Sequence, residues 1–380
     1  MRGIIIGAGI GGLSTAIAMQ SKNIDVKIYE AAKKLAQLGA GILVPPNAMA
    51  VLRKLGLADN VQSAGISIES LTILDLKGKT ISETRAIYEK QGIPHQTTAI
   101  HRGALQQILL RAVSPDTVIT NKKCQQVVST ADGAEATFFD GTSASADFLV
   151  GADGIYSRVR ESVFPESSLR FSGQTCWRGV SNITLTKPYA KRLSEVWGMG
   201  PRFGFVPISD SQVYWYATKV EKPGGKDDKE TLKQQLSELF ADFPNPVSEI
   251  IANTDTTSII RDDLCDLTPL SSWFSNNIVL MGDAAHASTP NLGQGGAQAI
   301  EDSWVLSDSL ATERNIGDAF SAFQAARIAK VQKIVNVSWQ IGKVTSLSSK
   351  AACTVRNAIF RCLPASMAKQ QSKMLYDVPY

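Results

Sequence analysis

The chain begins Met1-Arg-Gly-Ile-Ile-Ile-Gly-Ala-Gly-Ile-Gly-Gly-Leu-Ser-Thr15. The apolar run Ile4-Ile5-Ile6 predicts a short strand buried on both faces, and the residues from Leu13 to Gln20 predict a helix. Between them stand three glycines with the spacing that lets a turn form, a pyrophosphate approach and a helix pack closely, namely Gly7, Gly9 and Gly12. The start of a helix also offers free N–H groups and the positive end of its dipole to phosphates. The stretch therefore predicts a dinucleotide site.

A second predicted strand supports this interpretation, because it ends in an acid about twenty residues after the glycines. The strand reads Asp25-Val-Lys-Ile-Tyr-Glu30, and the carboxylate of Glu30 can accept hydrogen bonds from the hydroxyls of an adenosine ribose. The same charge would repel a 2′-phosphate, so the site is expected to hold FAD or NAD rather than NADP. The alternative is that Glu30 is a solvated residue at the end of a strand.

Length and composition indicate a globular protein of two domains rather than a membrane or nucleic-acid-binding protein. The chain has 380 residues, of which 44% are hydrophobic and 19% charged. No apolar run approaches the ~20 residues that a membrane-spanning helix needs, so no stable membrane association is expected. The net charge of +4 has no basic block behind it, which argues against a nucleic-acid partner.

The cysteines and histidines exclude two further classes of site. The five cysteines are scattered without a CxxC pair, which is typical of reduced thiols and predicts a cytoplasmic protein. The three histidines stand in no metal-ligand pattern, so no metal is expected. The oligomeric state is not indicated by the sequence.

Two later stretches repeat the order of buried strand, glycine and helix. The strand Phe148-Leu-Val150 leads to Asp153-Gly154. The strand Ile278 to Met281 leads to Gly282-Asp283, and a glycine-rich turn then precedes a helix predicted from Ala297 to Leu310. Ligands of open α/β sheets bind at the carboxyl ends of the strands, so Asp283 is expected in the site. Two glycine-rich helix starts suit a long ligand held at two points.

The segment from residue 171 to about 260 differs in its residue pattern, because aromatic residues alternate with polar ones. This pattern predicts an antiparallel sheet with one side facing an apolar cavity, where we expect the substrate. Arg202, which is followed by Phe203 and Phe205, is the obvious fixed cation of that cavity. It would either anchor an anionic substrate or form a structural ion pair.

The fold predicted from these segments is α/β, a Rossmann-like FAD-binding domain with an inserted, mainly antiparallel substrate sheet and a C-terminal helical segment. The FAD-binding domain is expected to comprise residues 1–65, 101–170 and 263–320. The substrate-binding sheet is expected in residues 66–100 and 171–262, and the C-terminal helices in residues 321–380.

Taken in order, the motifs resemble those of the single-component FAD-dependent aromatic hydroxylases, the group of para-hydroxybenzoate hydroxylase. The resemblance rests on Gly7-x-Gly9-x-x-Gly12 with Glu30, on Asp153-Gly154, and on Gly282-Asp283 with the turn from Gly293 to Gly296. It covers residues 1 to about 360. In their residue order, the glycine stretches are most similar to those of bacterial urate hydroxylase and of zeaxanthin-epoxidase-like enzymes.

The resemblance implies a role for each motif residue. The ADP half of FAD would be lined by Gly11, Glu30, Ala31 and Leu43. Arg102 would meet the pyrophosphate, Cys124 the adenine end through its backbone, and Asp283 the ribityl chain. The isoalloxazine would contact Gly293, Gln294, Gly295, Gly296 and Ala297. Asp153 would serve both FAD and the transient binding of NAD(P)H, for which the chain has no second Rossmann motif.

The resemblance also implies the reaction. NAD(P)H would reduce FAD, O₂ would form a C4a-hydroperoxyflavin, and a planar aromatic or heteroaromatic small molecule would be hydroxylated. Arg202 and Tyr214 stand where urate hydroxylase has substrate-contacting residues, whereas Asn291 replaces an aspartate there, so urate is not the expected substrate. Three alternatives remain open, namely an epoxidase, a prenyl-chain reductase, or a non-catalytic binding protein of the same fold.

Overall fold

The structure, a computed structural model, describes residues 1–35, 40–85 and 96–378. Its strands are β1 (Arg2–Ile6), β2 (Asp25–Tyr29), β3 (Gly41–Val44), β4 (Ile66–Ile68), β5 (Ser70–Asp75), β6 (Thr80–Arg85), β7 (Thr97–His101), β8 (Val118–Ile119), β9 (Cys124–Thr130), β10 (Gly133–Phe138), β11 (Ser143–Ala146), β12 (Phe148–Gly151), β13 (Leu169–Ser181), β14 (Arg192–Trp197), β15 (Arg202–Ser209), β16 (Gln212–Val220), β17 (Ile260–Leu267), β18 (Phe274–Ser275) and β19 (Ile278–Leu280). Its α-helices are α1 (Ile10–Gln20), α2 (Pro46–Lys54), α3 (Ala58–Ser63), α4 (Arg102–Ala112), α5 (Arg158–Val163), α6 (Leu232–Leu239), α7 (Val247–Ala252), α8 (Asp283–His286), α9 (Gly295–Thr312), α10 (Ile316–Thr345), α11 (Lys350–Arg361) and α12 (Ala365–Tyr376).

A six-stranded sheet in the order β18-β19-β12-β1-β2-β8 forms the centre of the nucleotide-binding part. All neighbours in it pair in parallel except β18 and β19. The three apolar runs predicted as buried strands form β1, β12 and β19, and their side chains are buried as expected of a parallel sheet covered on both faces. The predicted α/β class with a Rossmann-like core is therefore confirmed.

Helix α1 begins at Ile10, three residues earlier than predicted. Gly9 is its N-cap in an extended conformation, so Gly11 and Gly12 lie inside the first turn of the helix rather than before it. Helix α1 packs against α9, the second helix that begins at a glycine-rich turn. The two helix starts consequently lie on neighbouring elements.

A seven-stranded, mainly antiparallel sheet in the order β17-β13-β16-β15-β14-β5-β6 forms the second part. One face packs on α6 and α7 and forms a separate apolar core. The segment 66–100 contributes β5 and β6 to this sheet, whereas β4 and β7 pair with β3 in a small sheet of their own. Residues 86–95 of that segment lie outside the described residues.

The two faces of the seven-stranded sheet correct one prediction. Phe203 and Phe205 are fully buried in the core under α6 and α7, with Trp215 stacked 5.3 Å from Phe203. Arg202 precedes Phe203 on β15 and points to the opposite face, since side chains alternate along a strand. The two phenylalanines therefore do not line a cavity with Arg202, as the sequence had suggested.

Three helices account for most of residues 316–376, as predicted. Helix α10 has 30 residues, and α11 and α12 follow it with 12 residues each. Within the described residues, none of the helices combines the length and the apolar character that crossing a membrane requires.

Candidate active site

The glycines of the first turn have two different roles. Two of them are required by close packing, and the third leaves space that a ligand could occupy. Gly7 has φ of +105°, and a Cβ there would lie 2.5 Å from the carbonyl oxygen of Ala152. A Cβ on Gly12 would overlap the carbonyl oxygen of Gly7. A Cβ on Gly9, in contrast, would meet no atom of residues 1–35, 40–85 and 96–378 within 4 Å. The open side of the turn is thus at Gly9, at the start of α1, where a phosphate would approach.

Gly11 has a packing role as well. A Cβ at this position would lie 3.2 Å from the Cβ of Ala299 on α9. Its lack of a side chain lets the two helices approach, so only the backbone of Gly11 is left for the predicted contact with the ADP half of FAD.

The carboxylate of Glu30 is fixed beside this turn. It accepts hydrogen bonds from the backbone N–H of Ala8 and of Ala32, both at 2.7 Å. These two bonds hold the carboxylate at the end of β2 and leave it acceptor capacity, because an ionised carboxylate has about four lone-pair directions. Ala31, which was also predicted to line the site, lies in the same backbone loop.

Asp153 and Cys124 lie near each other at the far side of β12. The carboxylate of Asp153 accepts hydrogen bonds from the hydroxyl of Ser157 and the N–H groups of Arg158 and Val159, and so caps α5. Burial raises the pKa of the Cys124 thiol to about 12, and the nearby charge of Asp153 adds to this effect. Because the thiol of Cys124 stays protonated, the backbone of this residue is the group that remains for the predicted ligand contact. The predicted role of Asp153 in binding NAD(P)H stays a prediction.

Arg102 and Asp283 provide the charged groups between the two glycine turns. Burial lowers the pKa of Arg102, while the charge of Asp283 raises it, so the two groups influence each other across the site. Asp283 follows Gly282, whose φ is +54°, at the end of β19. In the described part of the chain, neither side chain has a hydrogen-bond partner.

The carboxylate of Asp283 is accessible to solvent, although protein atoms crowd around it. This crowding raises the pKa of Asp283, whereas the charges of His286 and Arg102 lower it in part. A Cβ on Gly295, the first residue of α9, would lie 3.6 Å from Oδ1 of Asp283. An uncommitted acceptor thus faces the N-terminus of a helix, across a gap where ligand hydroxyls could bind.

Leu43 lies beside the second glycine turn. Gly293 has φ of +62°, and a Cβ there would lie 3.8 Å from Cδ1 of Leu43. A Cβ on Gly296 would lie 3.0 Å from Cδ1 of the adjacent Ile42. Strand β3 thus runs alongside the turn predicted for the isoalloxazine, and the predicted contact of Leu43 with the ADP half of FAD stays a prediction.

Gln294 and Ala297 are buried at the start of α9. The side-chain oxygen of Gln294 accepts hydrogen bonds from Asn47 at 3.1 Å and Gln298 at 2.9 Å. The side-chain amide of Gln294 therefore bonds to other buried residues. The backbone of the turn is the part that could contact a flavin.

On the face of the seven-stranded sheet opposite Phe203, Arg202 is buried, and each of its three guanidinium nitrogens donates one hydrogen bond. Its guanidinium donates to the hydroxyl of Thr218 at 2.9 Å, to the carboxylate of Glu195 at 3.2 Å and to the amide oxygen of Asn291. Asn291 in turn donates to Thr289 and to the backbone carbonyl of Ser338 on α10. The predicted pair of Arg202 and Asn291 does come together, but its charge is not uncompensated as the sequence suggested, because Glu195 neutralises it.

Glu195 is the member of this buried cluster that the sequence interpretation missed. Its carboxylate accepts hydrogen bonds from Arg202, from the indole N–H of Trp197 at 2.7 Å and from the hydroxyl of Tyr216. These partners come from β14, β15 and β16, and the strand register that aligns Trp197 with Arg202 brings them together. The signal in the sequence was a charged residue inside the apolar strand Arg192–Trp197.

Tyr214 lies on the same face, with its ring centroid 6.1 Å from that of Tyr216. Burial raises the pKa of Tyr214, so its phenol stays protonated. A Cβ on Gly41 of β3 would overlap its ring, which places Tyr214 between the seven-stranded sheet and the strand that carries Leu43. No group of metal-ligating side chains occurs among residues 1–35, 40–85 and 96–378.

Residues 1–337 match the family model described as FAD binding domain. This chain belongs to that family. The match shows that the chain binds FAD, and the relatives show that the enzyme is of the FAD-dependent monooxygenase type.

Named relatives of this FAD-binding family cover nearly the whole chain. The chain is 36% identical to the aurachin C monooxygenase/isomerase of Stigmatella aurantiaca, over 97% of this chain and 96% of that one. It is 32% identical to the 2-heptyl-3-hydroxy-4(1H)-quinolone synthase of Pseudomonas aeruginosa, over 98% and 97%. It is 32% identical to the FAD-dependent urate hydroxylase of Klebsiella pneumoniae, over 88% of each.

Solved structures agree with this assignment. The crystal structure of Klebsiella pneumoniae HpxO complexed with FAD and uric acid superposes with a TM-score of 0.91 at 28% identity, covering 99% of this chain and 97% of that one. The features of the present chain fit FAD, because Gly9 leaves open space, Asp283 offers an unbonded carboxylate, and α1 and α9 begin at glycines.

Proposed function

We propose that this flavoenzyme uses NAD(P)H and O₂ to hydroxylate an uncharged, planar heteroaromatic small molecule, of the chemical class of the 4-quinolones. The observation that carries the proposal is the pairing of Arg202 with Glu195. This buried pair has no net charge, and Asn291 adds none. A neutral ring with one hydrogen-bonding edge suits this surface better than a carboxylate or a phenolate.

An anionic substrate would be disfavoured for an electrostatic reason. It would gain attraction from Arg202 but would also approach the carboxylate of Glu195, which is only 15% exposed. In a poorly solvated site a like charge at such short range costs more than it does in water. The sequence-based expectation of an anion held by Arg202 is therefore replaced by a neutral substrate.

The relatives support this substrate class. One of them is named for making 2-heptyl-3-hydroxy-4(1H)-quinolone, a bicyclic heteroaromatic without a carboxylate, and it aligns with 98% of this chain. The urate hydroxylase, whose name gives a polar substrate, aligns with 88%.

Each part of the site has a role in this proposal. Glu30 would hold the ribose and Asp283 the ribityl chain, while the N–H groups at the starts of α1 and α9 would face the pyrophosphate and the flavin ring. When bound, FAD would supply the electron transfer and the activation of oxygen. Tyr214 and Tyr216 would position the substrate ring, and the Glu195–Arg202 pair would orient its polar edge. The five free cysteines favour a cytoplasmic setting.

A substrate panel tests the proposal. The FAD-loaded enzyme would be given neutral 4-quinolones, urate, salicylate and long uncharged alkenes, and substrate-stimulated NAD(P)H oxidation would be scored together with product formation. We expect the highest kcat/KM with the neutral quinolones. Turnover of urate or salicylate alone would refute the neutral-substrate proposal, and turnover of the alkenes alone would indicate an epoxidase or prenyl reductase.

A further inference from the structure

The C-terminal helices carry an unusual charge distribution. Residues 319–376 contain nine Lys and Arg residues and no Asp or Glu, although the net charge of the whole chain is only +4. Three of the nine are committed elsewhere, because Arg327 and Lys330 pair with Glu301 and Arg361 pairs with Asp75. Five lysines of this segment are exposed, namely Lys333, Lys343, Lys350, Lys369 and Lys373.

The same helices expose large apolar side chains. Of the thirteen large hydrophobic residues exposed in the described chain, six lie between residues 344 and 367. Four of them follow closely in sequence, with Val355 and Ile359 one turn apart on α11, Leu363 in the break after α11 and Met367 on α12. We call these four the apolar face: Val355, Ile359, Leu363 and Met367, with exposed fractions of 58%, 56%, 43% and 54%. The other two, Val344 and Leu347, precede α11 by a few residues.

The apolar face is held outward by the contacts of the opposite side of α11. Cys353 and Arg356 are buried there, and Arg356 donates to the carbonyl oxygen of Gly198 at 3.2 Å. Phe360 packs edge-on against Trp197, with ring centroids 4.9 Å apart. Helix α11 is thus docked rigidly on the substrate sheet while its apolar residues point to solvent.

We propose that the C-terminal helices are a peripheral docking surface for an anionic lipid bilayer. A helix with apolar residues on its outer face and lysines around it lies in the interface of a membrane, with the apolar side chains inserted and the cations at the headgroups. The absence of acids from residues 319–376 removes the repulsion that would oppose such contact. The docking is reversible and salt-sensitive, which distinguishes it from the stable membrane association that the sequence argued against.

Vesicle co-sedimentation of the full-length, FAD-loaded protein tests this surface. Vesicles of phosphatidylcholine alone would be compared with vesicles containing about one third phosphatidylglycerol, at low and at high salt. We expect binding to the anionic vesicles, at least tenfold weaker binding to the neutral ones, and release by salt. The double variant Val355→Ser/Ile359→Ser should lose at least tenfold in affinity, and Lys343→Glu/Lys350→Glu should lose the salt dependence.

The matched control replaces two exposed apolar residues at the separate sheet of β11, β10 and β9, with Val128→Ser on β9 and Phe139→Ser directly after β10, and should leave vesicle binding unchanged. Unchanged FAD content would show that each variant is folded. Equal binding to both kinds of vesicle, or none to either, would overturn the proposal. So would a dimer in light scattering that the Val355→Ser/Ile359→Ser variant dissociates, because the apolar face would then bind a second copy of the chain.

Discussion

In the proposed substrate site, Glu195 is the residue that sets the electrostatic character. Its carboxylate pairs with Arg202 and also accepts hydrogen bonds from Trp197 and Tyr216. A buried charge that lacks an oppositely charged partner is strongly unfavourable. The charge of Glu195 therefore decides whether Arg202 attracts an anionic ligand.

Replacement of Glu195 by glutamine should therefore change the preference for substrate charge. The amide of Glu195→Gln retains an acceptor for Tyr216 and Arg202 but leaves the guanidinium uncompensated. We expect the ratio of kcat/KM for an anionic over a neutral heterocycle to rise about tenfold, or ~1.4 kcal/mol. The control Thr218→Val removes a hydrogen bond from Arg202 without changing charge and should leave the ratio alone. An unchanged ratio in Glu195→Gln would remove the pair from the substrate site.

Asp283 offers a second test at this scale. Asp283→Ala should weaken FAD binding about tenfold to a hundredfold, the effect of losing a charged hydrogen bond of roughly 1.5 to 3 kcal/mol. Equilibrium titration of the apoprotein with FAD, followed by flavin fluorescence, measures this directly. An affinity equal to that of the wild type would place Asp283 outside the FAD site.

The same carboxylate should make the apoprotein less stable. Because the pKa of Asp283 is raised in the folded state, the folded protein binds its proton more tightly than the unfolded chain does. The folded state therefore loses stability as pH rises above about 4. Asp283→Asn should raise the Tm of the apoprotein at pH 7 and leave it unchanged near pH 3. A lower Tm at pH 7 would contradict the assignment.

At the scale of elements, Gly9 and Gly12 of the first turn form a matched pair. Gly12→Ala would force a Cβ against the carbonyl oxygen of Gly7, so we expect a lower Tm of the apoprotein. Gly9→Ala places its Cβ in open space and should leave that Tm nearly unchanged, but it should weaken FAD by at least about tenfold, because the pyrophosphate needs the space. Calorimetry and FAD titration separate the two effects. Equal loss of Tm in both variants would show that Gly9 is also a packing glycine.

The elements that could be predicted from sequence are those whose signal is local. The runs Ile4–Ile6 and Ile278–Met281 are short, apolar and followed by glycine, so both strands were correctly expected. The helices α1 and α9 were expected too, although they begin three and two residues earlier than predicted. The sequence did not predict which side of the sheet faces the site. The alternation of side chains assigns the residues of β15 to two faces, but it does not indicate which face lies towards the cofactor. Phe203 was therefore grouped with Arg202, although adjacent residues of a strand point in opposite directions. Glu195 required the register of β14 with β15, which no local pattern contains.

At the scale of the whole molecule, a buried charged cluster connects Gly282, which follows β19, to the C-terminal helix α10. Asp302 on α9 accepts hydrogen bonds from the N–H of Gly282 at 2.9 Å and from Arg327 on α10 at 2.8 Å, and its other neighbour is His286 at 2.6 Å. Burial by itself would raise the pKa of Asp302, but His286, Arg327 and these hydrogen bonds lower it to about 2. The cluster therefore stabilises the fold through the charge of Asp302.

This stabilisation should be lost in acid. A carboxylate whose folded-state pKa is depressed contributes stability above its unfolded pKa, near 4, and loses it as pH falls to about 2. The shift corresponds to roughly 2 kcal/mol at neutral pH. Urea unfolding of the apoprotein should show Asp302→Asn less stable than the wild type at pH 6, with the difference shrinking towards pH 2.5. A difference independent of pH would mean that the asparagine acts through packing alone.

The central claim is that the assembled molecule inserts one atom of O₂ into a neutral heteroaromatic ring. Its most direct test is a single reaction of the FAD-loaded enzyme with NAD(P)H and a neutral 4-quinolone under oxygen-18 gas, with the product analysed by mass spectrometry. We expect a product that has gained one labelled oxygen atom, formed in step with NAD(P)H oxidation. Oxidation of NAD(P)H that yields only hydrogen peroxide, an unlabelled product or a hydrogenated one with this substrate would contradict the account.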